Sequence, residues 1–142
     1  MAELQGESRL LPVLLGWLYR RGRIRFDTLV VTEMPWYGRH IDLATLTRSG
    51  RLAAYELKLR NYQRAIEQAA YNKLAFDRSF VVTATLPGSP TRQAALEAGL
   101  GIIVIRDTGV QLVQESFASK ADDALRKRLI RKIQASAGPE HV

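Results

Sequence analysis

The chain has 142 residues, 46% of them hydrophobic and 25% charged, which is ordinary for a globular domain and long enough for one core. It contains no cysteine, which excludes disulfides, zinc-thiolate sites and thiol catalysis. Its only two histidines, His40 and His141, are far apart in sequence, so we expect oxygen ligands for any metal. Its 21 Lys and Arg against 14 Asp and Glu give a net charge of +7, which attracts polyanions such as nucleic acid, although an anionic membrane surface or solubility alone would also account for it.

The N-terminal half predicts one helix and three strands. Its start lacks the basic region of a signal peptide, and no apolar run is long enough to cross a bilayer, so we expect a cytoplasmic protein with no membrane partner. Pro35 is expected to end the first strand, because proline cannot donate to a sheet ladder. The predicted elements are a helix over residues 7–21, strands over 24–34, 39–47 and 52–59, and a hairpin turn over 48–51.

The C-terminal half alternates helices with apolar strands. Residues 61–76 predict a helix with Asn61 as its N-cap, and the continuous apolar runs 79–85 and 101–106 are typical of buried parallel strands. We therefore expect an α/β fold with a central mixed sheet flanked by helices, in a single domain over residues 1–136 with a flexible tail at 137–142. The remaining predicted elements are a short helix over 91–98, a short strand over 110–113 and a basic C-terminal helix over 120–135.

Two carboxylates and a lysine come together in the predicted hairpin of the second and third strands. Because side chains alternate between the two faces of a strand, Ile41 and Leu43 are expected on one face of the second strand and Asp42 on the other. On the third strand Glu56 and Lys58 share a face, about 7 Å apart between their Cα atoms. Charges gathered in a partly buried place are unfavourable unless they are paired, protonated or bound to a cation. The hairpin therefore predicts a functional site.

An oxygen-ligated cation fits these residue types. Carboxylates with carbonyls and waters are the usual ligands of Mg²⁺, and Mn²⁺ is the expected substitute. Such an ion would polarise a phosphodiester oxygen and activate a water, while Lys58 would position the water or stabilise charge on the phosphate. Glu33, at the end of the first strand, is either a third metal ligand or an exposed carboxylate. The simpler alternative for Lys58 is a solvent-exposed ion pair with Glu56.

This order of residues resembles the PD-(D/E)xK nuclease superfamily, which has the restriction-endonuclease-like fold. The resemblance is carried by Asp42, a gap of 13 residues across a hairpin, Glu56-Leu-Lys58, and a following helix that contains Gln68 and Tyr71. It implies an αβββαβ core in which Asp42, Glu56 and Lys58 are catalytic.

Two features depart from the pattern of that superfamily. Ile41 replaces the proline of the motif, and only two residues separate Gln68 from Tyr71, where the exonuclease-like branch has three. Gln68 is either a catalytic residue, which would bind the attacking water or hold Lys58 in place, or a solvated helix residue.

Cationic and aromatic side chains around the hairpin are the predicted contacts to nucleic acid. Arg39 and His40 precede Asp42 and would touch phosphate or form a solvated strand start. Trp36 would stack on a base or lie folded over the core. The basic C-terminal helix would follow a phosphate backbone or be a solvated face. The predicted contacts are Trp36, Arg39, His40, Arg60 and Arg64.

These observations predict a Mg²⁺-dependent nuclease that acts on DNA, an endonuclease rather than an exonuclease, with Asp42, Glu56 and Glu33 as metal ligands. The resemblance also implies a homodimer. One alternative is a catalytically silent module on the same fold that binds nucleic acid or a protein. Another is a regulatory or defence protein that cuts only when a partner activates it.

Overall fold

The computed structural model describes residues 2–118 and 122–137, which form a six-stranded sheet flanked by four helices. The order of the elements along the chain is the predicted one, and the α/β class with a mixed sheet is confirmed. The predicted helix start at residue 120 and most of the predicted tail, residues 138–142, lie outside the described residues, while Ala137 belongs to the last helix. The helices are α1 (Ala2–Arg20), α2 (Tyr62–Asn72), α3 (Ser89–Glu97) and α4 (Asp123–Ala137), and the strands are β1 (Leu29–Trp36), β2 (Arg39–Leu46), β3 (Leu52–Lys58), β4 (Arg78–Thr83), β5 (Gly101–Arg106) and β6 (Gly109–Gln114).

The strands lie in the sheet in the order in which they occur in the chain. β1, β2 and β3 form an antiparallel meander, because short turns join them. β3, β4 and β5 are parallel, with α2 and α3 as the crossover helices, and β6 returns antiparallel to β5. The carboxyl ends of β3, β4 and β5 therefore share one edge of the sheet.

β1 differs from its prediction at both ends. The prediction that Pro35 ends the strand is wrong, since Pro35 lies inside β1 opposite His40. β1 is the outermost strand, so a residue without an N–H is tolerated on its free side. The strand also begins at Leu29 rather than at residue 24, because Thr28 turns the chain through a backbone bond to Arg25 of 3.0 Å and a side-chain bond back to the Arg25 N–H of 2.9 Å.

Apolar side chains cover both faces of the sheet. α1 packs on one face, where the rings of Tyr55 and Phe80 stack with centroids 5.0 Å apart. α2 and α3 pack on the opposite face of β3, β4 and β5, and α4 covers β1 and β2 there. Within residues 2–118 and 122–137, no helix combines the length and apolarity needed to cross a membrane.

Candidate active site

The ladders on both sides of β2 are interrupted at Asp42. Glu33 lies opposite Asp42 but has no partner in the β1–β2 ladder and has a φ of 51°, and the β2–β3 ladder includes β2 only from Leu43 onward. This interruption changes the faces of the β2 side chains. Ile41, predicted beside Leu43, packs instead on the opposite face with Ala44, so that prediction is wrong.

At this interruption of the ladder, the side chain of Asp42 bonds to the backbone of β3. Its Oδ2 accepts a hydrogen bond of 2.8 Å from the backbone N–H of Leu57. The carboxylate thereby replaces the ladder partner that this N–H would otherwise lack. Asp42 is half-buried, and its side chain is fixed beside the residue that precedes Leu57, Glu56.

Glu56 is a buried acid on the face of β3 that α2 covers, with a relative exposure of 2%. Burial and, second to it, the neighbouring charge of Asp42 raise the pKa of Glu56 to about 8, against the opposing effects of Asn72 and Arg39. Two acids that interact in this way resist carrying two negative charges together. The pair therefore retains a proton at neutral pH unless a cation takes its place.

Arg39 and Asn72 hold Glu56 through two consecutive hydrogen bonds. Nη2 of Arg39 donates to Oδ1 of Asn72 at 2.8 Å, and Nδ2 of Asn72 donates to Oε1 of Glu56 at 2.9 Å. Because a guanidinium can only donate, the bond from Arg39 fixes the Asn72 amide with its NH₂ group toward Glu56. Arg39 also lies over the ring of Tyr71, 4.4 Å from its centroid. Arg39, predicted to contact nucleic acid, is thus half-buried and directed toward α2.

Asn72 is a site residue that sequence reasoning missed. The sequence feature that could have identified Asn72 is its position on α2, four residues after Gln68 and therefore on the same helix face one turn further along. Gln68 itself is half-buried, and its Oε1 is buried without a hydrogen-bond partner among the described residues. No hydrogen bond joins Gln68 to Lys58 in the described part of the chain.

Lys58 ends β3 two residues after Glu56 and is half-buried. Its ammonium forms no ion pair with Glu56 or with any other residue that the structure describes, so the expected alternative of a simple Glu56–Lys58 pair is not what the structure shows. Because side chains alternate between the two faces of a strand, those of Glu56 and Lys58 lie on the same face of β3. An unpaired cation therefore lies close to the buried carboxyl pair.

Glu33 is not brought into this cluster. Its side chain is exposed and makes no hydrogen bond or ion pair with a described residue. Within the described ranges, no group of three or more His, Cys, Asp or Glu side chains could hold a metal ion together. The protein ligands available at this point are thus the carboxylates of Asp42 and Glu56.

The other predicted nucleic-acid contacts lie in different environments. Trp36 is only 4% exposed and packs in the core with its ring edge against Tyr37, so it is not available to stack on a base. His40, Arg60 and Arg64 are exposed. A groove of about 430 Å³ lies on α2, and the residues that line it include Arg39, Arg64, Gln68 and Tyr71 but not Asp42, Glu56 or Lys58.

In the basic helix α4, two arginines are engaged within the protein. Arg126 bonds to Asp77 and to the carbonyl of Gly50, and Arg128 bonds to the hydroxyl of Tyr37. These contacts anchor α4 to the β1–β2 turn, to the β2–β3 turn and to the residue before β4, which gives part of its basic face a structural role.

No family model matches the chain, and no curated protein sequence matches it. The chain is similar in structure to SPO1766, a protein of unknown function from Silicibacter pomeroyi, with a TM-score of 0.60 and 21% identity over 80% of this chain and 77% of that one. It is also similar to SfsA of Pyrococcus furiosus, solved in complex with Ca²⁺, with a TM-score of 0.44 and 13% identity over 80% of this chain and 65% of that one. The similarity to SPO1766 shows a shared fold.

Proposed function

We propose that the chain is a Mg²⁺-dependent nuclease of the PD-(D/E)xK type that hydrolyses phosphodiester bonds in DNA. The observation that carries this proposal is that Asp42, bonded to the N–H of Leu57, lies beside the buried Glu56, with Lys58, which has no ion pair among the described residues, two residues further along the same strand. The order α1-β1-β2-β3-α2-β4 supports the proposal, because the core of that superfamily has the order αβββαβ.

Asp42 and Glu56 would hold the cation. The pKa of Glu56 is raised to about 8 mainly by burial and secondly by the charge of Asp42, so a cation placed between the two acids would stabilise their ionised forms. Mg²⁺ keeps several waters and commonly binds through one or two carboxylates together with substrate phosphate. Two carboxylates are therefore a sufficient protein contribution, and Glu33 is not required.

Each residue then has a separate task. A Mg²⁺ ion held by the pair would polarise a phosphodiester oxygen and promote ionisation of a water molecule. Lys58 would orient that water or stabilise the charge that develops on the phosphate. Asn72 and Arg39 would keep Glu56 in one orientation, which matters because small displacements of catalytic groups are costly to rate.

The charge distribution supports DNA as the substrate class. The net charge of +7 favours a polyanion, and the groove on α2 presents the exposed Arg64 and the ring of Tyr71 next to Arg39, which is linked to Glu56 through Asn72. Tyr71 is 46% exposed, so one part of its ring is open to a base or a sugar while Arg39 covers another.

A cleavage assay with matched variants tests the proposal. Linear, nicked, branched and single-stranded DNA, and RNA, would be incubated with Mg²⁺ or Mn²⁺ and wild type, Asp42→Ala or Lys58→Ala. We expect both variants to lose cleavage while keeping the circular dichroism spectrum of the wild type. Asp107→Asn removes an exposed acid and Lys127→Ala removes an exposed lysine, and both should cleave normally. Equal cleavage by wild type and the two site variants would contradict the proposal.

A second candidate function is a silent module that binds nucleic acid or a protein on this fold. The observation in its favour is that the described residues assemble two carboxylates at this point rather than three. Such a module would show no heat of Mn²⁺ binding, and its affinity for DNA would fall steeply with salt but would not depend on Mg²⁺. Calorimetry with Mn²⁺ therefore separates the two functions before any substrate is known.

A further inference from the structure

A second cavity lies at the opposite edge of the sheet, where β3 and β4 begin. It has a volume of about 600 Å³, which falls within the range of about 300–1,000 Å³ typical of small-molecule sites. The length of β3 from Leu52 to Lys58 is roughly 20 Å, so this cavity is separate from the end of the strand that carries Lys58.

Two hydroxyl groups that have no hydrogen-bond partner among the described residues line this cavity. Tyr55 and Thr45 both line it, and each has a relative exposure of only 2%. Neither side chain forms a hydrogen bond with a described residue. Their oxygen atoms are not fully enclosed, so both hydroxyls are open to the cavity, where water or a ligand can bond to them. Burial raises the pKa of Tyr55 to about 12, so its hydroxyl keeps its proton and can donate at neutral pH.

The sides of the cavity are strongly cationic. Four guanidinium groups and two carboxylates line it, which leaves a balance of two positive charges. Most of these groups hold one another in place, because Glu115 accepts bonds from Arg23 and pairs with Arg78 at 3.5 Å. The lining charges are Arg23, Arg51, Arg78, Arg126, Asp77 and Glu115.

Arg51 is the exception among these arginines. Its side chain is exposed, and its guanidinium has no ion pair or hydrogen bond with any residue in the described ranges. It follows the turn between β2 and β3 at the opening of the cavity. A guanidinium that is free to fold over a ligand complements the two hydroxyls that line the cavity.

We propose that this cavity binds a small phosphorylated molecule, with Arg51 and the neighbouring guanidinium groups on its phosphate and the hydroxyls of Tyr55 and Thr45 beneath it. A planar guanidinium donates two parallel hydrogen bonds to phosphate, and a doubly charged phosphomonoester matches the excess of two positive charges. The carboxylates of Asp77 and Glu115 in the sides disfavour a continuous polyanion, which is why we assign a bounded small molecule rather than a nucleic-acid strand. This proposal does not depend on the nuclease proposal.

Titration calorimetry with ribose 5-phosphate tests the assignment, with inorganic phosphate as a second probe and unphosphorylated ribose as the control ligand. We expect binding of both phosphorylated probes and none of ribose. Arg51→Gln should raise Kd by about tenfold or more, because it removes a charged hydrogen bond. Tyr55→Phe and Thr45→Val preserve shape and should each raise Kd by about 2–10-fold.

Two further variants make the outcome specific. Arg48→Gln changes an exposed arginine on the same hairpin that does not line the cavity, and it should leave Kd unchanged. Asp42→Asn should also leave it unchanged, which distinguishes failure here from failure of the nuclease proposal. The assignment is overturned if ribose 5-phosphate does not bind, if it binds Arg51→Gln and Tyr55→Phe as tightly as wild type, or if only a 5′-phosphorylated oligonucleotide binds. Thermal denaturation of each variant verifies that it is folded.

Discussion

The side-chain amide of Asn72 donates a hydrogen bond of 2.9 Å to Oε1 of Glu56, which links the last residue of α2 to the buried acid of β3. Arg39 extends this link to the first residue of β2. Three elements that are distant in sequence are therefore joined at one polar point beneath the helix. The orientation of the acid is thus a property of the tertiary structure and not of β3 alone.

Replacing Asn72 by leucine should destabilise the protein. The variant leaves the buried Oε1 of Glu56 and Nη2 of Arg39 without these partners, which should lower the free energy of unfolding by about 1–3 kcal/mol. Urea denaturation measures this change. Gln63→Leu makes a comparable change at an exposed position of the same helix and should remain within about 0.5 kcal/mol of wild type. Equal effects of the two substitutions would show that the Asn72 bonds contribute nothing measurable.

The stability of the metal-free protein should decrease as the pH rises from about 5 to about 8. The folded-state pKa of Glu56 is raised from 4.5 to about 8, so in this window the folded state binds more protons than the unfolded state. The free energy of unfolding then falls with increasing pH. The Arg23 guanidinium holds the pKa of Glu115 below its usual value, so the stability from that group is lost only at pH values below this window.

Comparison with Glu56→Gln isolates this effect, since the variant has no titrating group at the position. With EDTA present, the difference in unfolding free energy between variant and wild type should shift in favour of the variant by at least about 1.4 kcal/mol between the two ends of the window, which corresponds to one pKa unit. Urea denaturation at each pH provides the values. A difference that is constant with pH, or that shifts the other way, would show that Glu56 ionises normally in the folded protein.

Glu33 should be dispensable for cation binding. It is exposed and makes no hydrogen bond or ion pair with a described residue, whereas the charge of Asp42 acts on Glu56. We expect Mn²⁺ to bind Glu33→Gln with the wild-type Kd and to bind Asp42→Asn at least tenfold more weakly. Asparagine retains an oxygen that can accept from the Leu57 N–H, so the second variant keeps the local fold. A tenfold weaker affinity of Glu33→Gln for Mn²⁺ would instead support the three-carboxylate site that the sequence suggests.

The elements that sequence patterns predicted well are those with purely local causes. β5 was predicted with both of its ends, because a continuous apolar run begins after one glycine and stops at a turn. Glu56 and Lys58 share a face because alternation holds along β3. The failures depend on neighbouring strands. Pro35 is tolerated because β1 is an edge strand, Ile41 changes face because the ladders are interrupted beside it, and Asn72 reaches Glu56 only after α2 has packed on the sheet.

Gly101→Ala should destabilise the fold where β5 meets β4. A Cβ at this position would lie 2.4 Å from Cδ2 of Phe80 and 2.8 Å from the backbone nitrogen of Ser116. Phe80 cannot easily move away, because Tyr55 stacks on its ring and Arg23 lies over it at 5.6 Å. Such overpacking typically costs about 1–3 kcal/mol, and we expect the upper end of that range in thermal or urea denaturation.

Gly16→Ala is the matched control for this substitution, with the opposite expected sign. Gly16 lies inside α1, and the one close neighbour of an added Cβ is the flexible end of Arg20 at 3.3 Å. Because alanine favours a helix over glycine, this variant should gain up to about 1 kcal/mol. If Gly101→Ala were as stable as Gly16→Ala, the close approach of β5 to Phe80 would have to be wrong. Loss of stability in Gly101→Ala alone would support the ring packing that lines the second cavity.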